Sequence, residues 1–200
     1  STSASNGNLG TNGSISFSGN EKVYGNASYG STYSASGNSG VVSPGTASKL
    51  STPFSFPNPT LPTSYVDEGS LSASGNGSLN LPSGNYYFTN FSTSGNYSVN
   101  VTGQVNIYVN GPVSMSGNFS IANNLPDNLH IYMLSSSGLS ISGNSSLYAV
   151  IYAPNSAISA SGKSDFYGSV LGKSLSFSGS KGLHYDQSLG IGSASTSLVH

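Results

Sequence analysis

Six carboxylates, five lysines and three histidines carry all the acid, base and metal-ligand capacity of these 200 residues, which hold no cysteine. Glycoside hydrolysis needs two carboxyl groups flanking one bond, and a calcium-dependent lyase needs a carboxylate cluster beside a strong base. Glu21, Asp67, Glu68, Asp127, Asp165 and Asp186 fall at non-equivalent places, and only Asp67 and Glu68 are neighbours. Paired carboxylates are the minimum for that acid/base chemistry, so we expect no enzyme, no catalytic residue, no cofactor and no metal site. His184-Tyr185-Asp186 could form a relay or a ligand pair, but no nucleophile or third ligand accompanies it, and it reads as a cap. His130 reads as an outward, solvated side chain, and His200 is terminal.

The abundant chemistry is hydroxyl and amide, and it is regularly spaced. An apolar-Ser-x-Ser-Gly frame begins at Ile15, Tyr33, Leu71, Phe91, Val113, Leu139, Ile158 and Leu175, and the first six copies end in Asn. Successive glycines lie 18, 38, 20, 22, 26, 19 and 17 residues apart. A period near twenty residues is the mark of a solenoid. Strict alternation puts the apolar residues on one face of a strand and the serines on the other, after which Gly and Asn accept the backbone of a tight corner. Alternation resumes past the corner, as in Tyr97-Ser98-Val99-Asn100-Val101. It resumes a third time in Val105-Asn106-Ile107-Tyr108-Val109 and its counterparts at 129–133 and 149–153. Three short strands per turn predict an all-β fold: a parallel β-helix of eight or more rungs, each of roughly 17–26 residues, with essentially no helix. At a strand spacing of about 4.8 Å, eight rungs make a rod of roughly 40 Å.

The elements divide the chain into N-terminal rungs at 1–42, a Pro-rich excursion or linker at 43–69, a main stack at 70–190 and a tail at 191–200. Pro44, Pro53, Pro57, Pro59 and Pro62 cannot donate to a ladder and account for the 38-residue gap. Roughly two-fifths of the chain is Gly, Ser or Pro, a composition that by itself suggests disorder. With only 6% charged residues, a net charge of −1 and 35% apolar residues, self-repulsion is absent and a core can form. An in-register stack explains the missing charge, because a charged position would repel its own copy on the next rung. Lys163 and Ser180 break the Asn column, which predicts a capping end there.

This composition excludes some partners and suggests others. Without a basic patch there is no nucleic-acid partner, and no apolar run is long enough to span a membrane. The outward serines Ser16, Ser34, Ser72, Ser92, Ser114, Ser140, Ser159 and Ser176 form one polar column and read as a solvated face. Tyr87, Tyr108, Tyr132 and Tyr152 align at equivalent outward positions, with Leu171 continuing the row. Three readings stand open for that row: a stabilising ladder, an exposed stripe that binds a partner or a surface glycan, or a seat for the 43–69 excursion. Sequons at Asn12, Asn26, Asn76, Asn90, Asn96, Asn100, Asn118 and Asn144 are candidate N-glycosylation sites, although about six would arise by chance in so Asn- and Ser-rich a chain.

Four segments carry a family resemblance: Leu81-Pro82-Ser83-Gly84-Asn85-Tyr86-Tyr87-Phe88, Tyr148-Ala149-Val150-Ile151-Tyr152-Ala153-Pro154-Asn155, Phe166-Tyr167-Gly168-Ser169-Val170-Leu171-Gly172-Lys173 and His184-Tyr185-Asp186. With them, 81–189 resembles a C-terminal β-helical domain of uncharacterised function found in bacterial pilus-assembly (prepilin-like) surface proteins, and Asn12–Asn20 looks like the opening of such ectodomains. The resemblance implies a right-handed β-helix displayed outside the cell, with pilus or filament subunits as partners and no catalytic residues. The expectation is an extracellular structural or adhesive module that self-associates through end rungs or an exposed face. A glycan-binding module using the tyrosine row is the alternative.

Overall fold

The computed structural model of the chain describes residues 9–42, 45–117, 120–121, 125–144, 146–163, 165–179, 183–185 and 189. The chain is a parallel β-solenoid of about eight turns, each turn laying one strand on each of three faces. Face I carries the repeat frame, face II follows the Gly corner, and face III closes the turn. Within Asn76–Thr93, for example, 76–82 lies on face II, 84–88 on face III and 91–93 on face I. The alternation explains the burial. Ile15, Phe17, Leu139, Ile141, Leu175 and Phe177 are buried, while the serines between them point outward. Helix is confined, among the described residues, to the 3-10 turn Pro126–Asn128.

The order of rungs in space differs from their order in the chain. Along face I the frames run Leu71, Phe91, Val113, Leu139, Ile158, Leu175, and then Ile15 and Tyr33. The two N-terminal copies therefore stack on the last C-terminal one, with Ile15 over Leu175 and Phe17 over Phe177. This corrects the expected cap: the 175–179 rung lies inside the stack, and Asn20 N–H donates to the carbonyl of Gly179 across the junction at 3.4 Å. Leu183–Tyr185 is likewise a paired strand on face II, not a lid. The excursion is narrower than 43–69, because Ala47–Lys49 and Val66–Ala73 both pair into sheets. Among the described residues of this segment, 50–64 runs outside the stack, as a strap back to the far end.

The eight corner glycines form one column. Gly75, Gly95, Gly117, Gly143, Gly162, Gly179, Gly19 and Gly37 all have positive φ, from 71° to 134°. A Cβ on any of the last seven would meet the backbone of the corner glycine beneath it. Glycine is required twice at each such corner, once by conformation and once by contact.

The two causes can be separated by substitution. Gly75→Ala at the open end meets nothing within 4 Å, so only its φ of 79° is penalised, and a loss of about 1–2 kcal/mol is expected. Gly143→Ala adds collision with the backbone of Gly117 and is expected to lose clearly more, read as midpoints of chemical denaturation.

Candidate functional site

On face III the tyrosines stack in the expected register. Tyr87 pairs with Tyr108, Tyr108 with Tyr132, Tyr132 with Tyr152 and Tyr152 with Leu171. The Tyr108 and Tyr132 rings are stacked at 4.9 Å and 12°, and Tyr152 continues the row at 6.3 Å. The row is half-buried, not the exposed stripe that the spacing allowed, because the strap lies along it.

Named contacts hold the strap. Asn12 clamps the backbone of Phe54, its amide donating to Phe54 O at 2.6 Å and its oxygen accepting from Phe54 N–H at 2.7 Å. Tyr152 Oη donates to Pro57 O at 2.7 Å, and Asn155 Nδ2 donates to Asn58 Oδ1 at 2.7 Å. Pro57, Asn58, Pro59 and Thr60 line the groove with Tyr108, Tyr132 and Tyr152. At the far end Asn85 Nδ2 donates to Ser64 O at 3.1 Å, and the Tyr65 ring sits 5.8 Å from that of Tyr87. A proline-rich segment suits this seat: it has few N–H groups to leave unsatisfied and little flexibility to lose, and aromatic grooves grip such segments by packing. Burial raises the phenol pKa values of Tyr108, Tyr132 and Tyr152 above the ordinary 10.0, and at Tyr132 the neighbouring Tyr108 and Asp127 add to the effect.

Face II carries an aromatic stack that the sequence reading missed. Tyr148 stacks on Tyr167 at 4.5 Å and 6°, and Tyr167 on His184 at 4.5 Å and 12°. Aligning Leu147-Tyr148-Ala149, Phe166-Tyr167-Gly168 and Leu183-His184-Tyr185 would have revealed it. His184 Nε2 lies 3.3 Å from Asp165 Oδ1, and His130 Nε2 lies 3.2 Å from Asp127 Oδ1. Each is a surface pair of one histidine and one carboxylate. Among the described residues no three His, Asp or Glu side chains gather where they could hold a metal ion. Glu21 is buried, 6% exposed, and among the described residues neither of its carboxylate oxygens has a hydrogen-bond partner. Asp186 and His200 lie outside the described residues.

Several sequon asparagines are committed to ladders. Asn96 donates to Asn76 Oδ1 at 3.2 Å, Asn100 to Asn80 Oδ1 at 2.8 Å, and Asn90 to Leu71 O at 3.1 Å. Asn12 holds the strap, and Asn26 accepts from Thr46 N–H at 3.0 Å. Asn144 is exposed, and Asn118 lies outside the described residues. Face I carries two serine columns repeated over eight rungs, each serine exposed or half-buried among the described residues.

The two ends differ. At one, the outer edges of Val66–Ala73 and 76–82 have no strand partner among the described residues, Leu71 and Leu79 are half-buried, and Val66 is 51% exposed. Asp67 and Glu68 are exposed on this end. At the other, the Tyr33 ring folds across the core beside Phe17 and Tyr29, and its hydroxyl accepts from Val41 N–H at 3.2 Å. Lys22 and Lys49 belong to this second end.

The family described as Domain of unknown function (DUF7305) matches residues 88–190. No curated protein matches the chain. Among solved structures, the ice-binding protein of the Antarctic ascomycete Antarctomyces psychrotrophicus is similar in fold, with a TM-score of 0.63 and 12% identity over 92% of this chain and 95% of that one. No helix among the described residues is long and apolar enough to cross a membrane.

The strap's grip predicts alkaline sensitivity. Below pH 10.0 the phenols are neutral in the folded and unfolded chain alike, so their contribution is fully present. As pH rises from 10.0 through the raised folded values, the unfolded chain ionises first and stability falls, read as melting temperature against tyrosinate absorbance. Tyr152→Phe removes the bond to Pro57 and is expected to lose about 0.5–1 kcal/mol at neutral pH.

Proposed function

The chain belongs to the family of the domain of unknown function DUF7305, which supplies no activity, and from its surface we propose an extracellular structural module that self-associates through its ends. The observation that carries this reading is the inequality of those ends. One offers parallel strand edges that are unpaired among the described residues, over half-buried Leu71 and Leu79, and carries Asp67 and Glu68, while the other carries Lys22 and Lys49. A free edge is a template for strand addition, and unlike surfaces that attract each other assemble head to tail into open filaments. Opposite charge adds orientation to the encounter. The resemblance to prepilin-like proteins favours a pilus or filament context at the cell surface. The strap's seat on the tyrosine row weighs against the glycan reading, since a sugar would have to displace it.

Expected behaviour is concentration-dependent assembly, seen by light scattering and electron microscopy. Ser72→Lys and Ser78→Lys, at exposed positions on the two open-end strands, put positive charge on the end that would meet Lys22 and Lys49 and should abolish it while leaving the melting temperature nearly unchanged. A wild-type chain that stays monomeric at every concentration would sink the reading.

A second reading rests on face I, whose flat paired serine columns are a regular hydroxyl grid like those an ordered-water surface could match. It ranks second because serine brings no methyl group to the face. If it holds, the purified protein shows thermal hysteresis that Ser140→Tyr removes; absence of hysteresis ends it.

A further inference from the structure

The N-terminal coils, 9–49, reach the rest of the chain by one covalent route, the strap, yet they are docked at the end of the rod opposite to where that strap re-enters the stack. Their docking surface is made of ordinary rung-to-rung contacts. Ile15–Gly19 pairs in register with 175–179, Phe17 stacks on Phe177 at 5.9 Å, and Thr11 Oγ1 donates to the carbonyls of Gly172 and Lys173. Nothing in these contacts requires both strands to come from one chain. From these facts we infer that 9–49 is an exchangeable module, which docks on the 166–179 rung of a second copy as it does on its own.

The strap sets the terms of the exchange. It crosses the row from Gly10 past Leu171, Tyr152, Tyr132, Tyr108 and Tyr87 to the rung of Asp67, six rung spacings or about 29 Å. The segment from Phe54 to Tyr65 reaches about 34 Å when extended, so docking in cis is allowed with little slack. In an antiparallel pair of rods, the strap-entry end of each copy lies beside the docking end of the other. Each N-terminal module can then cross over reciprocally, every rung contact is kept, and only the strap changes course. Exchange of identical elements through a connecting segment is a low-cost route to an assembly. Prolines 53, 57, 59 and 62 stiffen the strap, so little entropy separates its two courses.

Exchange joins copies through the seam at 166–179, whereas the end-to-end reading joins them through the open edges, so the inference goes beyond that reading and the experiment separates the two. Ser16 and Ser176 are exposed neighbours in register on adjacent rungs, and the chain has no native cysteine. Adjacent parallel strands place the Cα atoms within disulfide range. Ser16→Cys and Ser176→Cys chains are unfolded together, refolded as a concentrated mixture and oxidised, with the double variant as the control for native pairing. A disulfide-linked species of doubled mass that requires both variants is the expected result. If the double variant closes its bridge but the mixture yields none beyond that of each variant alone, exchange is overturned. Light scattering on the wild type then reports whether end-to-end assembly survives without it.

A second variant deletes residues 52–61, so that Lys49 and Val66 are joined by a segment that reaches about 25 Å at most, short of the eight rung spacings, about 38 Å, that separate them in cis. Exchange predicts that this protein is dimeric or larger. When Ser16→Cys and Ser176→Cys are added to it, the bridge between positions 16 and 176 is expected to form only between chains. A monomer that forms no such bridge, its N-terminal coils undocked, overturns the inference.

Discussion

Each corner glycine rests its backbone on the corner glycine below, and the whole rod is organised by that contact. Gly95 could not carry a Cβ without bringing it 2.8 Å from the backbone nitrogen of Gly75, and the same holds from rung to rung up to Gly37 over Gly19. Because the corners coincide, every other position coincides too: isoleucine over leucine inside, serine over serine on face I, asparagine over asparagine on face II. Coincidence makes charge costly and amides useful, which accounts for a chain with few charges whose Asn100 bonds Asn80 and whose Asn106 bonds Asn85. Asp67, Glu68 and Lys49 sit at the ends, where the repeat stops and the constraint is relaxed, while Asp127 and Asp165 inside the stack each lie beside a histidine.

Much of this was legible in the residues. The frame that begins at Leu71 and recurs at Phe91, Val113 and Leu139 specifies strand, corner and inward side at once, so fold class and register followed from one pattern. The tyrosine column was legible for the same reason. The spatial order of the rungs was not. The copy at Ile15 is as compatible with Leu175 as with Tyr33, and a repeat that makes all rungs interchangeable cannot say which two are neighbours. Asn12 shows the same limit: it reads as a sequon, and only the path of the strap reveals it as a clamp on Phe54.

The strap also decides what face III can do. Left bare, a row of four tyrosines would be an adhesive apolar surface; under 57–60 Tyr108, Tyr132 and Tyr152 hold a segment of their own chain by one phenol bond and ring packing, and Tyr65 lies against Tyr87. On face I no strap is seen among the described residues, and outward hydroxyls are readily solvated. The fold thus hides its aromatic side and shows its neutral one, a surface suited to close packing with few long-range electrostatic demands.

Placing the first coils at the far end has a consequence for biogenesis. As the polypeptide is made or exported from its amino end, residues 9–49 emerge long before the strand at 175–179 that covers Ile15 and Phe17. Those side chains must wait, unshielded, until the final rung is complete, and contacts between such distant parts of a chain form slowly. Maturation of this rod is governed by its last-formed seam, and the waiting interval is when its nascent form is most open to misassembly and to proteolysis.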